Sequence, residues 1–181
     1  SEESRRAGLL AVSRSMPPRV VLSVARGVDT DPSVQSAILG AVGTASATDD
    51  ERRVLQEIAL LRAEIDMRRG RPDAALGSLA ALDGSPMLPA LQTQRDDLTT
   101  RSLIMLNRLE EAASRDATAE VWLAAVESIA GEPHAPAAAS RALELFETVL
   151  SEQERLGLRT VAEVAETGAG TETDRLPDGP G

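Results

Sequence analysis

The chain has 181 residues, 29 acidic and 19 basic, for a formal net charge of −10. That length suits one domain burying roughly 70% of its unfolded surface. The chain has no cysteine and all its basic residues are Arg, which excludes disulfides, thiolate nucleophiles, Cys-ligated metals, Schiff-base lysines and P-loop lysines.

Ala and Leu, 29 and 23 residues, supply most of the apolar mass beside one Phe, one Trp and no Tyr, a composition that favours a helical core. Pro17 and Pro18 introduce a short helix over 19–26, stopped by Gly27. Asp31-Pro32 reads as an N-cap with proline at the first helical position, Gly43 closes that run, and 41–48 is a loop. Asp49 and Asp50 open the clearest helix, in which Val54, Ile58, Leu61 and Ile65 form one apolar stripe. Gly70 ends it, with Arg68 and Arg69 in the last turn where the helix dipole favours cations. Pro72 starts the next helix, which carries Ala75, Leu76, Leu79 and Leu82 to Asp83-Gly84-Ser85-Pro86.

A second hairpin follows. Its first helix is expected over 87–107, with Leu88, Leu91, Leu98 and Met105 aligned and Ile104 flanking. Asn107-Arg108 is the turn and 109–116 the short second helix. Val121, Trp122, Ala125, Val126 and Ile129 make another stripe, stopped by Gly131-Glu132-Pro133. One further helix is expected over 136–156, with Ala139, Leu143, Phe146 and Leu150 aligned. From Thr167 the tail is Gly-, Pro- and acid-rich without periodicity and is read as disordered. No segment alternates as a strand would. The expected class is all-α, built of antiparallel helix hairpins. Short N-terminal helices occupy 1–48, the helical core 49–156, and a short helix with the tail 157–181.

An internal repeat is visible at a shift of 37 residues. The stretch from Met67 to Ala75, through Gly70, aligns with that from Ile104 to Ala112, through Asn107. In each, a helix ends at a residue able to take positive φ, and five positions later a small residue lies where two helices approach closely. This pattern resembles the tetratricopeptide family, whose unit is a helix pair. Ala63, Gly70, Ala75, Leu79 and Pro86 match its small, turn, buried, bulky and closing positions. In the second copy Thr100 replaces the first small residue, Ala112 fits, and Asp116 stands at the bulky site. The family's aromatics are missing. The match spans about 70 residues and implies a short α-solenoid; an irregular helical bundle is the alternative.

If the resemblance holds, its concave groove takes Glu57, Glu64 and Arg68 from the first copy and Gln94, Asp97 and Arg101 from the second. The family's carboxylate clamp of Lys, Arg and Asn is not reproduced. The expected function is a non-catalytic scaffold for a protein or peptide partner, part of a larger protein or assembly, with no cofactor and no metal. The alternative is a sensor or enzyme domain that uses carboxylates and Arg in an inter-helix pocket. The negative charge disfavours nucleic acid, no apolar stretch reaches the 18–20 residues of a membrane span, and the compartment is left open. The chain starts at Ser1 rather than Met, as a processed chain or a fragment would. The lone His134 is expected to be an exposed loop residue, and Glu110-Glu111 and Asp49-Asp50-Glu51 to stabilise helix starts. Asp96-Asp97 is placed on a polar helix side. Gly168-Ala169-Gly170 lacks the context of a phosphate loop. Arg68, Arg69 and Arg71 form a positive cluster able to hold a carboxylate.

Overall fold

The computed structural model of the chain describes residues 16–27, residue 35 and residues 49–168. The helix expected between Asp31 and Gly43, the loop at 41–48 and the tail beyond 168 fall outside those residues, Gln35 excepted, which is helical. Among the described residues the structure is helical throughout, with no strand. The elements are α1 (Pro18–Gly27), α2 (Asp49–Arg68), α3 (Pro72–Ala80), α4 (Pro89–Met105), α5 (Leu109–Ala113), α6 (Ala119–Ser128), α7 (Ala135–Phe146) and α8 (Glu152–Gly168). The chain divides into two compact units, 1–102 and 103–181, the division falling in the last turn of α4.

In the first unit α2 is the central element, packing against both α1 and α3. The stripe of Val54, Ile58 and Ile65 is buried, with Leu61 half-buried, and it meets Val21 and Leu22 of α1. A second stripe, Gln56, Leu60, Ala63 and Met67, is buried as well. By helical periodicity it lies on the opposite side of α2. The sequence pattern shows only the first because Gln56 interrupts the second. Gln56 is 4% exposed and donates from Nε2 to Ser85 Oγ at 3.0 Å and to the Pro86 carbonyl at 2.8 Å. A buried amide is satisfied there while tying α2 to the turn that leaves α3. Ala75, Leu79 and Leu82 are buried as expected.

α4 begins at Pro89 rather than 87, since a proline at a helix start loses no intrahelical bond. Leu88, expected on the buried stripe, is therefore left before the helix and 49% exposed. The later part of α4 is buried on most sides: Leu98, Thr100, Ser102, Leu103 and Ile104. Thr100 and Ser102 donate their hydroxyls to the Asp96 and Leu98 carbonyls one turn back, so small polar residues are tolerated inside.

In the second unit, α5 stops at Ala113 instead of 116. Ser114 donates its N–H to the Glu110 carbonyl and its hydroxyl to that of Glu111, and Asp116 offers nothing to bury. α6 buries Trp122, Ala125 and Val126, with Ile129 just beyond its end. α7 buries Ala135, Ala138, Ala139 and Ala142, a face of small residues against which α6 and α8 pack. The single helix expected over 136–156 is in fact two. The N–H groups of Val149 and Leu150 both bond to the Phe146 carbonyl, at 2.9 and 3.0 Å, and Ser151 then caps a new helix. Its hydroxyl oxygen accepts the Glu154 N–H at 3.3 Å, while Glu154 Oε2 accepts the Ser151 N–H at 2.8 Å. That reciprocal pair is a capping box. α8 continues to Gly168, well past 156.

The two turns related by the 37-residue shift have the same backbone. Gly70 has φ 67° and Asn107 has φ 58°, the latter the only non-glycine with positive φ among the described residues. Gly70 N–H bonds to the Met67 carbonyl and Arg71 N–H to that of Asp66, both at 2.9 Å. Asn107 and Arg108 repeat this on Ile104 and Leu103, at 3.0 and 2.9 Å. Each is a complete Schellman turn. The residues five beyond, Ala75 and Ala112, are both fully buried, as are Ala63 and, at 1% exposure, Thr100.

Candidate functional site

Glu57, Glu64 and Arg68 share one side of α2 at spacings of seven and four, and Gln94, Asp97 and Arg101 share one side of α4 at three and four. Among the described residues no hydrogen bond or ion pair joins the two sets. Glu57 is engaged from α1: Arg26 Nη2 donates to its Oε2 at 2.9 Å, and Arg53 Nε lies 4.0 Å from its Oε1. Arg68 Nη2 donates to Gln35 Oε1 at 3.4 Å. Glu64 is half-exposed and Gln94 exposed.

The α4 set differs electrostatically. Asp96 and Asp97 are both half-buried. Burial first, and the Asp96 charge second, hold the Asp97 carboxyl above its ordinary value, while Arg101 one turn on pulls it down. Arg101 is half-buried and its Nε is buried without a hydrogen-bond partner. The positive cluster at the end of α2 is divided: Arg68 faces Gln35, and Arg71 is hydrogen-bonded to the buried carboxylate of Asp66.

Two clefts flank the first turns of α2. One, of about 480 Å³, is lined by Asp49, Asp50, Arg52, Arg53, Gln56 and the Pro86-Met87-Leu88 turn. The other, of about 280 Å³, lies between α1 and α2, with Arg19, Arg26, Arg53 and Glu57 around a floor that includes Leu22 and Val54. Arg53 lines both. Three guanidinium groups around one carboxylate suit an exchangeable acidic group, because Arg forks match carboxylates in geometry. Asp50 and Glu57 already engage Arg19 and Arg26, at 3.5 and 2.9 Å. The sequence reading missed these arginines. The available signal was the i, i+4 spacing of Arg53 and Glu57 on a helix whose apolar stripe adjoins them.

His134 departs from its expected exposure: it is half-buried at the start of α7, with Nε2 buried and unpartnered. Glu110 and Glu111, and Asp49, Asp50 and Glu51, do occupy the first turns of their helices. Among the described residues no three His, Cys, Asp or Glu side chains are grouped to hold a metal ion, and no helix is long and apolar enough to cross a membrane. No protein-family model, curated protein or solved structure matches the chain.

Proposed function

We propose that the chain is a non-catalytic interaction module, a short tetratricopeptide-like α-solenoid that binds a protein or peptide partner on the polar sides of α2 and α4. The observation that carries this reading is the repeated turn: two Schellman closures 37 residues apart, each followed by a fully buried alanine five positions on. A turn that recurs at a fixed interval between helices is a mark of repeat scaffolds, which present one surface from successive units. The exposed or half-exposed positions on those sides, Glu64, Arg68, Gln94 and Arg101, are the ones a partner would contact first.

The test uses the immobilised chain and lysate of its source at low and high salt, comparing the parent with an Arg68→Glu/Arg101→Glu variant. A protein held by the parent at physiological salt and lost by the variant, with equal helicity by circular dichroism, is the expected outcome. Equal retention by both removes the groove. A second reading, a sensor for a carboxylate-bearing small molecule, draws on the cleft of Arg19, Arg26 and Arg53. It requires Arg53→Ala to abolish binding of a dicarboxylate measured by calorimetry.

A further inference from the structure

The turn between α3 and α4 joins an exposed acid to a glycine. Among the described residues Asp83 is the one aspartate followed by glycine. Its side chain is 73% exposed, and it meets the Arg95 guanidinium at 3.5 Å, a long contact at the surface. Gly84 has φ 75°, with open space where a Cβ would stand. The backbone on either side is tied. Asp83 donates its N–H to the Ala80 carbonyl at 3.1 Å, and Ser85 its own to that of Leu82 at 3.2 Å. The Gly84 N–H between them makes no hydrogen bond among the described residues. The other described aspartates lie inside helices, apart from Asp116, whose successor Ala117 donates its N–H to the Arg115 carbonyl.

A carboxyl one residue before a free N–H is placed for ring closure. The Gly84 nitrogen attacks Asp83 Cγ: the N–Cγ bond forms, a Cγ–O bond breaks, and the nitrogen's proton leaves with that oxygen as water. The product is a succinimide. Water then opens the ring at either carbonyl. Opening at the main-chain carbonyl breaks its bond to the Gly84 nitrogen and leaves isoaspartate, with the chain running through Cβ and Cγ. One water is lost and one regained, so the sequence needs no further reactant. Rotations about χ1 and ψ of Asp83 alone bring the reacting atoms together, and glycine has no Cβ to block the approach. We propose that Asp83-Gly84 is a site of spontaneous isoaspartate formation in the folded chain, and that the product releases the Gln56 anchor. The extra methylene enters the main chain just before Ser85 and Pro86, whose oxygens accept both bonds from the buried Gln56 amide. A buried donor that loses its partners is destabilising. None of the groove residues takes part, so this site and the groove stand or fall separately.

The full chain is aged at mildly acidic pH and body temperature, since the acid form of a carboxyl is the electrophile, beside a sample in guanidinium chloride. Both are digested and mapped by mass spectrometry with electron-transfer fragmentation. Isoaspartate at 83 has the mass of the parent peptide, elutes apart from it and gives its own fragments. It is expected to accumulate in the folded sample at a rate comparable to that in denaturant. Asp83→Glu keeps the charge at an exposed site but would need a six-membered ring, so it is expected to lose the conversion. Conversion confined to the denatured sample would overturn the proposal, because the folded turn would then protect the pair. The aged parent should also melt lower than the fresh one, while aged and fresh Asp83→Glu melt alike. The second Asp-Gly pair, 178–179, is present in both proteins, so any ageing there cancels. An equal fall in both proteins, or none in the parent despite conversion, would overturn the link to Gln56.

Discussion

Two glycines show how one substitution can have opposite effects. Gly70 sits at φ 67° with open space where a Cβ would stand, so the strain of Gly70→Ala is purely backbone, about 1 kcal/mol against stability. Gly77, mid-way along α3 and exposed, also has open space but no positive φ, so Gly77→Ala should stabilise by about 0.5–1 kcal/mol. Urea denaturation of the two variants checks the signs; two shifts in the same direction would contradict the Schellman geometry. Asp97 gives a pH-dependent case. Its carboxyl is held above the ordinary value by burial and then by Asp96, so the folded state disfavours the charged form. That penalty is absent at low pH, where the group is protonated in both states, and grows as pH rises from the ordinary aspartate range through the raised value. Asp97→Asn should therefore melt higher than the parent at pH 7, with the gain gone at about pH 3. A constant gain across that window would point to packing rather than charge.

The junction of α7 and α8 is decided by a side chain rather than by periodicity. Ala139, Leu143, Phe146 and Leu150 keep helical spacing straight through it, yet the chain breaks and restarts at Ser151. The Ser-x-x-Glu spacing of Ser151 and Glu154 is the local signal for that restart, and the sequence reading followed the apolar stripe alone. The hydroxyl and N–H of Ser151 hold the Glu154 carboxyl below its ordinary value. The cap's contribution is thus full above the ordinary glutamate range and is lost as pH falls through the lowered value. Protection of the first amides of α8 against hydrogen exchange should fall in acid for the parent and stay flat for Glu154→Gln; parallel behaviour would mean that the cap does not control this helix start. α4 shows the converse problem. Buried on most sides near its end, with Thr100 and Ser102 inside, it has little amphipathic signal, so the expected limits of 87 and 107 overran the observed Pro89–Met105 at both ends.

At the scale of the whole chain, a charge of −10 makes any partner with a basic surface associate faster at low salt, so groove capture should weaken as salt rises. The all-α class was legible from Ala and Leu content and from capping residues, because helix propensity and helix termini are local properties. The 37-residue repeat was legible for the same reason: a Gly or Asn that must take positive φ, and an Ala that must be small, act within one turn of chain. The candidate site was legible only as positions on a helix side. That Glu57 is taken by Arg26, that Gln56 is buried on the second side of α2, that Arg53 lines two clefts and that Leu145, Val149 and Leu156 are exposed depend on which elements pack together. The sequence by itself determined the helical class, the ends of α2 and the repeated turn, through steric and hydrogen-bonding rules that span a few residues, while the break between α7 and α8 and the end of α5 were not read from it. Only the tertiary structure decided which polar groups are buried and which apolar ones are exposed, because solvent exposure belongs to neighbours distant in the chain.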